Sequence, residues 1–215
     1  MKQLLSIDNP VMRFVIKLFD CMVLSVLWLV FSLPIITMGA ASTALYSAVY
    51  NRIVKDKSYL WRSFWTSFRD NFKRSTLAWL PMLAMILFLA YDVLALRVMI
   101  RSGHPMGRLF GLIVALLCVS AVWATYLAAY CARFQGSVKD MLRYSFFLMM
   151  SHPLLSLGVM LAVLGSLALI LMVPGLAAML PAVAVWLSSS LIELAFKKHM
   201  RPEDLEKTKD EEEQR

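Results

Sequence analysis

Apolar residues run along this chain in blocks of about 20, the length that crosses a bilayer as one helix, and short basic stretches separate them. The first block follows "DNP" at 8–10, where Asp8 or Asn9 can cap a helix and Pro10 suits its first position. The pattern predicts a helix over 10–33. Arg13, Lys17 and Asp20 share one stripe of its early turns, and Cys21 to Leu33 is almost wholly apolar. Later blocks predict spans at 35–54, 76–97, 109–131, 147–173 and 176–196.

The joint between the first two blocks is "FSLPIITMGA" at 31–40. Pro34 is either a kink in one long helix or the turn between two. The residue before a proline is driven away from helical geometry, so a helix end at Ser32 or Leu33 is natural. The following block carries one charge, Arg52, and places Ala40, Ala44 and Ala48 at every fourth position. Such a face lets two helices approach closely. Charge also favours the turn. Segment 52–75 holds seven basic residues and must lie on the cytoplasmic side. Six spans then put 19 of the 22 Lys and Arg inside, with both termini, whereas a kink and five spans put 16 inside. The expected fold is an all-α polytopic bundle of six spans, with five as the alternative. Residues 1–198 form its single domain.

Composition strengthens the membrane reading. With 60% hydrophobic residues and a mean hydropathy of +0.68, a soluble domain of this size would have little polar surface left for water. A net charge of +8 would suggest nucleic acid as a partner for a soluble protein. Here basic cytoplasmic loops account for it, and no nucleic acid is expected. Acidic residues gather in the tail 199–215, which has too few apolar positions to fold and is expected to be disordered and cytoplasmic. Cys21, Cys118 and Cys131 form no paired motif and read as buried thiols. "GAAS" at 39–42 resembles a cleavage site, but the segment before it is long and carries Arg13, Lys17 and Asp20, so it is expected to stay uncleaved.

The segment between the second and third spans is the richest in candidate chemistry. In "SYLWRSFWTSFRDNFK", Trp61, Phe64, Trp65, Phe68 and Phe72 fall on one helical face, with Arg62, Arg69 and Lys73 mainly off it. This predicts an amphipathic helix over 59–73 lying in the interface, rings toward the acyl boundary and cations among headgroups. It would serve as a lipid anchor or as a dock for a cytoplasmic protein. Acidic residues inside spans are costly and so are functional candidates. Asp20, Asp92 and Glu193 are such residues, either pairing with nearby Lys17, Arg97 and Lys197 or, for Asp20 and Glu193, lining a polar path. "GRLFG" at 107–111 offers a helix contact, and "PG" at 174–175 with Pro181 predicts a turn and an early kink. Gly136 and Pro153 echo the coupling loop of ABC importer permeases, but Ala132, Arg133 and Phe134 replace its acidic opening. His104, His152 and His199 are scattered, and the chain has neither a zincin H-E-x-x-H nor a P-loop. No catalytic, metal or cofactor residue is legible, and a non-enzymatic protein is expected.

"NPVMRF", "LWLVFSLPIITMGAASTALY" and "SYLWRSFWTSFRDNFK", within residues 8–80, resemble the YesL family of bacterial membrane proteins, which is defined by a domain of unknown function. "ARFQGSVKDMLRYSFFLMMSHP" adds a less specific likeness. The resemblance implies a multi-pass protein of the bacterial plasma membrane associated with carbohydrate uptake. It brings no catalytic residues. The function it suggests is an accessory or permease-like component, with the bilayer and parts of a sugar ABC importer, or another cytoplasmic protein, as partners. The alternative is a small self-sufficient transporter or channel.

Overall fold

The computed structural model describes residues 10–55, 59–102, 104–134 and 136–199, without the side chains of 10, 11 and 197–199. The acidic tail expected to be disordered falls at 200–215, outside the described residues. Seven α-helices run α1 Pro10–Ser32, α2 Met38–Val49, α3 Leu60–Arg101, α4 Phe110–Arg133, α5 Val138–Ser151, α6 Pro153–Met172 and α7 Leu180–His199. No strand occurs among the described residues.

Pro34 is a turn. Its own backbone is extended, and a 3₁₀ turn at Ile35–Thr37 follows. The Pro34 carbonyl accepts from Thr37 N at 2.8 Å, and Thr37 Oγ1 donates to the Phe31 carbonyl at 2.7 Å. Past it the chain runs back along α1. Trp28 Nε1 donates to Ser42 Oγ, and Arg52 Nε to Asp20 Oδ2, so 28 meets 42 and 20 meets 52 in antiparallel register.

α2 is the centre of the bundle. Ala40, Ala44 and Ala48 are fully buried, as the every-fourth-residue pattern predicts, and Gly39, Thr43, Leu45, Tyr46 and Val49 are buried with them. A helix buried on every face packs best when its side chains are small. Gly39 shows how close the packing is. A β-carbon there would stand 2.3 Å from Trp79 Cβ and 3.0 Å from the Ser75 carbonyl. The "GAAS" stretch is therefore the α2–α3 contact. α2 has only 12 α-helical residues, and one π-helical turn, Tyr50–Val54, extends it.

Two predicted elements are rearranged. The interfacial helix at 59–73 and the span at 76–97 are one helix, α3, of 42 residues. At about 1.5 Å per residue it is about 63 Å long, twice a hydrocarbon core of about 30 Å. No turn residue lies between Phe72 and Ala78, so the helix has no reason to stop where its surface changes from charged to apolar. The predicted span 147–173 is instead two helices. His152, at φ −132° and ψ 72°, leaves helical geometry, and Pro153 starts α6, as the steric demand of proline on its predecessor requires.

Four helical segments are long and apolar enough to cross a membrane: Met12–Ser32, Leu60–Arg101, Pro105–Arg133 and Pro153–Met172. Leu180–Phe196 is apolar but shorter. Together they fit a membrane protein. Pro181 lies in the first turn of α7, where proline is tolerated, and starts that helix instead of kinking it. "GRLFG" makes its helix contact at Gly107 and not at Gly111. Gly107 sits in a 3₁₀ turn against Ile100, and a β-carbon added at Gly111 would meet nothing within 4 Å.

Candidate functional site

The polar side chains that the fold brings together lie at one end of the bundle, where α2 ends and α3 begins. Glu193 of α7 pairs there with Arg133 of α4. Its other oxygen accepts from Tyr46 Oη at 3.1 Å. Arg133 also donates to Tyr50 Oη at 3.1 Å, and its guanidinium stands 4.6 Å from the Tyr50 ring centroid and 5.8 Å from that of Phe196. Both charged side chains are largely buried. Planar guanidinium suits this double role of ion pairing and ring stacking. Three helices, α2, α4 and α7, are thus tied by one network. Lys197, the partner expected from i,i+4 spacing, has its side chain outside the described residues.

Asp20 is held in the same way. Its partner is Arg52 at 2.9 Å, not Lys17. Lys17 donates instead to the Ile53 carbonyl at 2.8 Å. Ile53 lies in the π-helical turn that ends α2, where the final carbonyls have no intrahelical donor, and Lys17 satisfies one of them. Asp92 lies apart on the far half of α3, partly exposed. It forms no ion pair among the described residues, and Arg97 lies 6.0 Å from the Phe110 ring instead. The structure therefore brings Asp20 and Glu193 to one end but neutralises each with an arginine, and Asp92 joins neither.

The aromatic stripe of α3 is divided. Phe64 is 1% exposed and belongs to the core with Ala44, Ala48 and Ile53. The Phe31 ring of α1 lies 5.7 Å from Phe64, 5.7 Å from Trp65 and 5.0 Å from Phe68. The face that α3 buries is Phe64, Ser67, Ser75, Ala78 and Trp79, rotated from the one the rings mark. Outside it, Trp61, Trp65 and Phe72 remain 57%, 44% and 37% exposed. Trp61 and Trp65 stack with centroids 6.3 Å apart. Arg62, Arg69 and Lys73 are exposed beside them.

Next to this surface is a polar cleft of about 380 Å³ between α2, α3 and the end of α4. Ser47, Asn51, Arg62, Thr66, Asp70 and Asn71 are among its walls. Sequence periodicity does not find it, because its donors and acceptors come both from α3 and from α2 with its π-helical turn. Arg133 is committed to Glu193, and Ser137 caps α5, accepting from Asp140 N at 3.3 Å and donating to Asp140 Oδ2 at 2.6 Å. No cluster of His, Cys, Asp or Glu able to hold a metal occurs among the described residues.

No curated protein and no solved structure matches the chain. The family described as "Protein of unknown function, DUF624" matches residues 21–93, so the chain is similar to it from Cys21 of α1 through the Pro34 turn, α2 and the charged half of α3 to Val93.

Proposed function

We propose that the protein is a non-enzymatic component of a bacterial plasma-membrane assembly for carbohydrate uptake, and that it docks a cytoplasmic partner on the first half of α3. In this reading α2 and α7 complete six crossings and both termini are cytoplasmic. The observation that carries it is the uncovered surface of Trp61, Trp65 and Phe72, flanked by Arg62, Arg69 and Lys73 and bordered by the polar cleft. Tryptophan and arginine supply most of the energy of protein interfaces. The excess of basic residues near Leu60 supports the cytoplasmic assignment, and the resemblance to YesL supports the link with sugar importers. A self-sufficient transporter using Asp20 and Glu193 is less favoured, because both are already paired.

The test replaces Trp61 and Trp65 together with alanine, leaving Phe64 and Phe68 on Phe31. The double variant should still insert and fold, but lose the importer's ATPase subunit as a co-purifying protein identified by mass spectrometry. Glutamine at Arg62, Arg69 and Lys73 should weaken that association less. An undiminished association in the tryptophan variant, or none with the unaltered protein, overturns the proposal.

A further inference from the structure

The short α2 does not fill the bundle around it, and space is left open beside it from Met38 to Tyr46. A cavity of about 410 Å³ lies there, walled by α1, α2, α3, α4, α6 and α7. Its walls are almost entirely apolar, among them Leu83, Ile86, Ala124, Ile170 and Ala184. Leu167, half exposed, stands at its edge, within the apolar surface of α6.

The polar groups in the walls decide what can enter. Thr43 Oγ1 donates to the Gly39 carbonyl, Thr125 Oγ1 to Ala121 and Ser166 Oγ to Ala162, each within its own helix. Trp28 Nε1 is bound by Ser42, and Trp79 Nε1 by the Ile35 carbonyl. Tyr46 Oη is bound by Glu193. Ser75 Oγ, beside the Cys131 thiol, is buried with no hydrogen-bond partner among the described residues. A sugar placed here would lose its water and find few partners, a large cost for each unmet hydroxyl. The size also excludes a helix of a second copy, since a cylinder about 10 Å wide encloses roughly 400 Å³ in a single turn. The volume equals about 14 waters, which is room for one alkyl chain.

We infer that this cavity is a lipid-binding site that takes one acyl chain of a phospholipid, entering from the bilayer past Leu167. The lipid's headgroup stays outside, and the chain completes the packing that the short α2 leaves open. This goes beyond the docking role of α3 and is independent of it.

Native mass spectrometry of the full-length protein, released from detergent micelles and titrated with dipalmitoyl phosphatidylglycerol, tests the inference. One saturable lipid per chain is expected. Ala124→Phe with Ala184→Phe should weaken that first binding by about tenfold or more, with an unfolding midpoint no lower than that of the unaltered protein. If the phenylalanines prevent folding, Ala124→Leu and Ala184→Leu fill less space and should give a smaller weakening in the same direction. A palmitoyl lysolipid should compete, and glycerol phosphate should not. Binding left unchanged by the filled cavity, displacement by glycerol phosphate, or preferred binding of a polyisoprenyl phosphate would each overturn the assignment to a phospholipid tail.

Discussion

The two halves of α3 share one backbone and differ in almost everything else. From Leu60 to Trp79 the helix buries Phe64, Ser67, Ser75, Ala78 and Trp79 against its neighbours and carries charges on the other side. From Leu80 to Arg101 it buries only Met82 and Leu96, while Leu87, Phe88, Tyr91, Leu94 and Val98 all face outward. Small side chains mark the half that packs on protein, and large apolar ones mark the half that faces away from it. In water the reverse would hold, because large exposed apolar surface is costly there. In hydrocarbon an outward phenylalanine costs nothing, and close backbone approach supplies the packing.

The largest expected effect comes from the packed half. Phe64→Ala removes a fully buried ring from the cluster with Ala44 and Ile53 and should cost about 3–5 kcal/mol. Phe88→Ala, on the outward half, should stay within about 0.5 kcal/mol. Unfolding titrations with sodium dodecyl sulfate on both variants measure the contrast, and equal losses would erase the distinction between the halves.

Gly39→Val tests the same contact from the α2 side. The added carbon meets Trp79 Cβ and the Ser75 backbone, so the helices must separate, at a cost of about 3 kcal/mol. Restoring space with Trp79→Gly, which removes that β-carbon, should recover part of the loss, measured as a double-mutant cycle by the same titration. Purely additive losses would show that the two positions do not meet.

A smaller effect concerns the end of the bundle. Glu193→Ala leaves Arg133 largely buried without its carboxylate and should cost about 2–3 kcal/mol. Asp20→Asn should cost about 1 kcal/mol or less, since the Arg52 side chain is one-third exposed. The ratio of the two, read from unfolding midpoints, sharpens the claim that Glu193 ties three helices and Asp20 only two segments.

What the sequence made legible follows its local periodicities. Proline sterics and charge asymmetry favoured the reversal at Pro34, and the alanines at 40, 44 and 48 marked the buried face of α2. Where neighbours in space are distant in sequence, legibility ends. Arg133 and Glu193 are 60 residues apart, and no local pattern pointed to their pairing. The ring stripe on α3 included Phe64 but could not mark the rest of the packed face, because Ser67, Ser75 and Ala78 bury by being small, which hydrophobic periodicity does not score. The break before Pro153 obeys the same rule as Pro34, but long apolar runs on both sides of Ser151 and His152 made one span of it. The cavity had no sequence signal, since its walls come from six helices.

The continuity of α3 is the point on which the account rests, and spin-label accessibility scanned from residue 60 to residue 101 tests it directly. One uninterrupted helical period of about 3.6 residues is predicted through 73–76. Access to polar reagents should be high at Arg62, Arg69 and Lys73, and access to oxygen high at Leu87, Phe88, Leu94 and Val98. A break in the period near residue 75, with Trp61 and Phe72 as open to oxygen as Phe88, would show a separate helix lying in the interface and would contradict the account.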